Sequence, residues 1–432
     1  MIRTTLLAGG VALLASGVSA QTEITFWHAM GGALGEAVND IAEKFNAHQD
    51  EYRLVPVYKG NYEETLTATI AAFRAGEHPN IVQVFDAGAA TIIGAQGATI
   101  PVEDLMTANG VPFDGADYIE GVRYFYADES GKMVGMPFNS STPILYYNVA
   151  ALEAAGVTPP VTWEEFAETT APALKEAGYI PLAQSHLPWI FTENFMSRHN
   201  LQFASNNNGY AGVEGTELLV DNAPLKAHFI ALKDWYDAGL FGFYGTGWGD
   251  NQAPFEAGEV AMWLGSSGSF GGLSQSADFE FSATFLPYWE GVEGAGTNTF
   301  IGGAALFAMT GFDDAENKAT AEFFRFLTRS DVQFLWHRDT GYVPITNAAY
   351  EMAQIIDYYD EAPAAEVGIQ QLSLPGGEWT KGYRMGFYVQ IRDVMNREYA
   401  RIFAGETTVD EAFRVITEEG NRLLERFAQT QG

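Results

Sequence analysis

The 432-residue chain contains no cysteine. Disulfide staples are thereby excluded, together with the thiolate ligands that most structural zinc sites use, so stability has to come from burial. Cationic residues are scarce as well: 23 Lys+Arg face 55 Asp+Glu, a formal net charge of −32. Such a surface argues against nucleic acid or an anionic membrane as partner. It does not exclude a small anionic ligand, because screening over a Debye length of ~8 Å confines the relevant field to the pocket itself. Past the N-terminal segment, no apolar run approaches the ~20 residues that cross a bilayer. Enzyme signatures are equally thin. Gly265-Ser266-Ser267-Gly268-Ser269 has Ser where the nucleophile elbow needs its second glycine. The seven histidines show no H-x-x-x-H spacing, and neither a P-loop nor G-x-G-x-x-G occurs. No catalytic residue, metal or cofactor is therefore assigned.

What is present begins with an export signature. Met1 and Arg3 open a basic segment, Leu6 to Leu14 form a short apolar core, and Val18-Ser19-Ala20 supplies a small-x-small cleavage pattern. Cleavage after Ala20 and a periplasmic location are expected. No cysteine follows the apolar core, which excludes a lipid anchor of the usual kind. A composition of 47% hydrophobic and 18% charged residues is globular. The roughly 410 residues left after cleavage exceed what one core usually serves, so two domains are predicted.

Strand-like and helix-like segments alternate. Ile24 to His28, Tyr52 to Tyr58 and Ile81 to Phe85 read as strands, separated by helices carrying Leu34, Val38, Ile41, Ala42 and Phe45, then Tyr62 to about Phe73. This β-α-β-α-β rhythm predicts an α/β fold with a helix-covered parallel sheet. Further strands are expected at 144–147, 260–264, 281–286 and 304–309, and helices at 162–176, 224–238, 315–328 and 409–428. Val409, Phe413, Ile416, Leu423, Leu424 and Phe427 form an apolar stripe in the last. Gly and Pro cluster near 135–143, 291–303 and 341–344, which suggests repeated crossings between two lobes.

The first of these clusters, Pro137-Phe138-Asn139-Ser140-Ser141-Thr142-Pro143, carries one amide and three hydroxyls between two prolines that hold it extended. It reads either as a donor-rich crossing past a ligand cleft or as an ordinary polar turn before a buried strand. Other polar-aromatic clusters are spread along the chain: Tyr58 to Glu63, Asp86-Ala87-Gly88, Ser266, Ile301-Gly302-Gly303, Gly341 to Thr346 and Gln390-Ile391-Arg392. Several follow strands, where open α/β sheets place their ligand crevice.

With Phe26-Trp27-His28 and Gly420-Asn421-Arg422-Leu423-Leu424, these clusters make the whole chain resemble the extracytoplasmic solute-binding proteins (family 1) of ABC importers, on the branch that binds glycerol phosphates. The resemblance implies the two-lobed periplasmic-binding-protein fold, with hinge crossings and a ligand cleft between the lobes. Lobe 1 is expected over 21–136 plus about 291–342, and lobe 2 over 137–290 plus about 343–432. It further implies a monomer without catalytic step, a phosphorylated polyol as ligand and a membrane permease as partner. An oligosaccharide receptor of the same superfamily, or a secreted glycosidase or phosphodiesterase, stands as the alternative.

Carried over by position, the resemblance points to Tyr62, Ser141, Ser266, Gly303, Tyr342 and Arg392 as ligand contacts. Arg392 offers a planar charged fork suited to phosphate. From the residues alone, pairing with a neighbouring carboxylate on a helix surface is the favoured reading, and the resemblance reverses that order. Replacing it by Ala is expected to abolish binding with little change in thermal unfolding. Two positions depart from the family pattern: Asp86 stands where Glu is usual, and His186 where Trp is usual. A wall of imidazole instead of indole leaves space. The implied ligand is sn-glycerol 3-phosphate, a glycerophosphodiester such as glycerophosphocholine, or both, with Trp189 and Trp248 as aromatic faces for a quaternary ammonium.

Overall fold

The computed structural model describes residues 21–95, 97–128, 130–247 and 249–431. The export segment expected at 1–20 and the aromatic face expected at Trp248 lie outside the described residues.

Two sheets organise the chain. Strands Thr22–His28 (β1), Tyr52–Tyr58 (β2), Ile81–Phe85 (β3), Thr99–Ile100 (β4) and Met136–Ser141 (β5) belong to the first. Pro143–Asn148 (β6), Ile180–Gln184 (β7), Phe241–Gly242 (β8), Val260–Ser266 (β9) and Phe281–Thr284 (β10) make the second, and Gly302–Met309 (β11) returns to the first. The orders are β2-β1-β3-β11-β4, with β5 also on β11, and β10-β6-β9-β7-β8. β1 pairs parallel with β2 and β3, whereas β11 runs antiparallel to β3, β4 and β5. β3 sits centrally under helices and is buried throughout, which explains its near-continuous apolar run.

Because β5 joins the first sheet, that sheet extends to Ser141, beyond the boundary expected at 136. Thr142 alone separates it from β6. The donor-rich stretch is therefore a strand crossing between sheets, with every residue from Met136 to Tyr146 buried, not an exposed polar turn.

The helix Tyr62–Ala75 opens with a reciprocal cap between Asn61 and Glu64 and ends at Gly76 in the left-handed region. The helix expected over 162–176 is broken up: a π-helical turn, Phe166–Thr170, lies between Trp163–Glu165 and Ala171–Glu176. Pro172 accounts for the widening, since its ring crowds the carbonyl four residues earlier. β7 was not anticipated, because Pro181 argues against a strand with two neighbours. Its pairing with β8 begins only at Leu182, which leaves the proline without a ladder bond to make on that side.

The crossings are tied together by buried neutral groups. The Thr142 hydroxyl lies 2.6 Å from that of Thr299. Gln371 Nε2 donates to the Pro143 carbonyl at 2.6 Å and to Thr299 Oγ1 at 3.0 Å, while its Oε1 accepts from the Leu286 N–H at 2.6 Å. The third crossing joins nearby, with the Val343 N–H donating to the Ser140 carbonyl at 2.8 Å.

Candidate functional site

A cavity of about 360 Å³ is lined from both sheets. Tyr62, Asp86, Ser141, His186, Trp189, Ser266, Gly303, Tyr342 and Arg392 all reach it. Of the site positions singled out in the sequence, Trp248 lies outside the described residues; Thr246 and Gln252 line the wall.

The hydroxyl side of the cavity is preorganised. The Ala29 N–H donates to Gln83 Oε1 at 2.7 Å, Gln83 Nε2 to Asn139 Oδ1 at 2.8 Å, and Asn139 Nδ2 to the Tyr62 oxygen at 2.7 Å. This relay fixes the amide orientation of both residues. The Tyr62 ring lies flat on Phe85, centroids 5.0 Å apart, and Tyr342 stacks on Trp336 at 5.8 Å. Burial raises the pKa of both phenols, so they remain neutral donors. Gly341 closes the helix Ser330–Thr340 at φ 86° and turns the chain so that Tyr342 faces the cavity; a Cβ there would press on Phe270 and the Ser267 carbonyl. Gly303 has φ 87°, and a side chain would collide with the Asn139 carbonyl oxygen. Its backbone is thereby open to close approach.

The charged side is built on the carboxylate pairing that the residues alone suggested for Arg392. Arg392, on the helix Tyr388–Phe403, is held by two carboxylates. Its Nε and Nη2 each donate to Glu193 at 2.7 Å, and Nη2 also pairs closely with Asp86. Asp86 heads the helix Asp86–Gly94 immediately after β3, where a carboxylate suits the helix N-terminus. In this structure it serves the guanidinium. Tyr388 and Tyr383 donate to Glu193 at 3.0 and 3.2 Å. Burial works against the Arg392 charge, but Asp86 and Glu193 outweigh it and hold the group well above the ordinary arginine range. Glu193 is raised by its own burial, opposed by Arg392.

Sequence reasoning missed Glu193, which is fully buried. A signal existed: it is the only charged residue between Glu176 and Arg198, and an ionisable group in so apolar a run needs a partner. Asp393 and Asn396 also line the cavity unanticipated, as does Glu63 from the cluster Tyr58 to Glu63.

His186 takes φ 54°, a conformation uncommon for residues with a side chain. Burial, helped by the Arg392 charge, lowers its pKa to about 3. It is a neutral wall at any physiological pH. Trp189 follows on the π-helical segment Pro188–Asn194 and lies against Gly302, where a Cβ would sit 2.5 Å from the ring. No cluster of metal-ligating side chains occurs among the described residues, and no helix among them is long and apolar enough to cross a membrane.

Comparison with known proteins bears on the family and the fold. The family model described as bacterial extracellular solute-binding protein matches residues 40–365. The sn-glycerol-3-phosphate-binding periplasmic protein UgpB of Pectobacterium atrosepticum is 39% identical over 437 residues, covering 99% of this chain and 97% of that protein. Its namesake in Brucella melitensis is 39% identical and covers 98% of both chains. Among solved structures, UgpB from Mycobacterium tuberculosis in complex with glycerophosphocholine matches with a TM-score of 0.78 at 22% identity, over 94% of this chain and 100% of that one. The GacH receptor of Streptomyces glaucescens, solved free and with acarbose, matches at 0.77 and 18% identity, over 94% and 99%. At these identities the two structures speak for the fold, which is the two-lobed α/β architecture of periplasmic binding proteins.

Proposed function

The chain belongs to the bacterial extracellular solute-binding proteins, and from that premise we propose that it is the periplasmic binding component of an ABC importer for sn-glycerol 3-phosphate and related glycerophosphodiesters. The observation that carries this reading is identity of 39% over nearly the whole chain to glycerol-3-phosphate-binding proteins. The assembly around one cavity of nine positions that the family resemblance singled out supports it.

In this reading the ligand's phosphoryl oxygens take hydrogen bonds from Arg392 Nη1, the hydroxyls of Tyr62, Tyr342, Ser141 and Ser266, and the Gly303 N–H. Neutral donors fixed by the Gln83–Asn139 relay cost little to organise when the ligand arrives. Asp86 exchanges part of its contact with Arg392 for the glycerol hydroxyls. Closing of the lobes about the crossings buries the ligand and presents the closed form to a membrane permease. The protein acts as a monomer and performs no reaction; its relatives are binding proteins.

Mass spectrometry of ligand that co-purifies with the protein tests the reading, backed by a thermal-shift panel of glycerol phosphates against neutral oligosaccharides. A glycerol phosphate in the eluate, and stabilisation by that class alone, are expected. Stabilisation only by sugars would move the protein to the oligosaccharide receptors. Release of free alcohol from a glycerophosphodiester would make it a hydrolase.

A further inference from the structure

Arg392 is the one cationic side chain among the described residues that line the cavity. Its surroundings are acidic on every side. The helix Tyr62–Ala75 brings Tyr62 and Glu63, the helix Asp86–Gly94 brings Asp86, and the segment around Pro188–Asn194 brings Glu193 and the neutral His186. Its own helix adds Tyr388 and Asp393, the preceding loop adds Tyr383, and Tyr126 and Tyr342 close the ring with neutral hydroxyls.

Glu193 differs from the other acids. Both of its oxygens are engaged by Arg392 at 2.7 Å, and two tyrosine hydroxyls also donate to it. The two-point ion pair with Arg392, reinforced by the two tyrosine hydroxyls, favours the carboxylate against the opposing effect of burial. It is fully buried and absent from the cavity surface, so a ligand cannot displace it. The Arg392–Glu193 pair is then a neutral dipole that offers directed N–H groups and no net charge. Asp86, Glu63 and Asp393 leave the remainder of the wall negative.

We infer that Glu193 cancels the charge of Arg392, and that the cleft consequently accepts phosphate ligands as monoanions: a phosphodiester as it stands, a phosphomonoester only with one proton taken up from solvent onto a phosphoryl oxygen. This rests on the glycerol-phosphate reading and adds to it a rule of selection. A second phosphate ionisation falls near pH 6, so at pH 8 almost all monoester is dianionic and must be protonated to bind. A diester has no such ionisation. A zwitterionic diester matches the acidic wall best.

Titration calorimetry on the purified full-length mature protein tests this with sn-glycerol 3-phosphate, glycerophosphocholine and glycerophosphoglycerol, from pH 5.5 to 8.5, in paired buffers of different ionisation heat. Monoester binding should take up close to one proton at pH 8, and its affinity should drop about tenfold per pH unit above ~7. Both diesters should bind without proton uptake and with flat affinity. In Glu193→Gln, which keeps shape and removes one charge, monoester uptake should fall towards zero. Should that variant not fold, the wild-type proton count decides alone. Monoester binding at equal affinity at pH 6 and 8 with no proton taken up overturns the inference, as does proton uptake by the diesters; both leave the glycerol-phosphate reading standing. Failure of all three ligands to bind overturns that reading and this inference with it.

Discussion

Thr142, Thr299 and Gln371 at the strand crossings are buried as deeply as Glu193 beside the cavity, yet the two polar networks differ in one respect. At the crossings, donors and acceptors are neutral and matched: both polar atoms of the Gln371 amide are used, and the two threonine hydroxyls bond each other. Around Arg392, one cation meets two carboxylates, and a cavity opens at its edge. A matched network fixes shape; an unmatched one has bonding capacity to give. Burial of polar groups does not distinguish the two, whereas the balance of charge does.

Removing Arg392 breaks the comparison most severely. Arg392→Ala should lower ligand affinity at least a hundredfold by calorimetry. It should also destabilise the protein by about 3–5 kcal/mol in denaturant unfolding, because Glu193 is left buried without its cation. The sequence alone suggested that stability would hardly change, since the buried carboxylate behind the arginine was not visible. The double variant Arg392→Met/Glu193→Gln should recover most of the stability and none of the binding; recovery of binding would show that the charge is dispensable.

Gln371→Ala tests the neutral network. It strands the Leu286 N–H and the Pro143 carbonyl and removes one of the two bonds at the Thr299 hydroxyl, at about 2–4 kcal/mol of stability. Affinity should move less than tenfold. An affinity loss as large as that of Arg392→Ala would mean that the crossings are part of the site.

Acid sharpens the contrast with smaller effects. Burial holds His186 at about 3, and His28, His199 and His337 at about 4, below the ~6.5 of an unfolded histidine. The folded state favours neutral rings, so their contribution is complete above pH 6.5 and declines as pH falls from there towards 3–4, by roughly 1.4 kcal/mol per pH unit for each. His186 alone of these lines the cavity. His186→Asn, which tolerates the left-handed conformation, should change stability at pH 7 by less than about 1 kcal/mol and remove about 1 kcal/mol of the decline between pH 6.5 and 5.5. Thermal melts across pH check both; an unchanged slope would assign the acid sensitivity to the other histidines.

Much of the first sheet was legible. Tyr52–Tyr58 and Ile81–Phe85 are strands within the bounds the sequence suggests, because turn residues and apolar periodicity coincide there. Tyr62, Asp86, Ser141, Ser266, Gly303, Tyr342 and Arg392 were legible as a set only through the resemblance of the whole chain to a family. Chemistry by position could not assemble residues as far apart as Asp86 and Arg392, 306 places along the chain. Glu193 was missed for the same reason: its partner lies 199 residues away. The backbone of His186 and the π-helical segment Pro188–Asn194 were not legible either. They arise where tertiary packing overrides local preference.

The single-residue passage at Thr142 has a mechanical consequence. With two sheets joined through one residue there, and the other passages pinned beside it by Thr299 and Val343, the molecule has a fulcrum and two rigid arms. Rotation about a fulcrum moves each point in proportion to its distance from it. The hydrogen bonds at the pivot survive small angles intact, while the far rims of both sheets travel furthest. In the proposed role, what a partner at the membrane would read from such a body is a length between two rims.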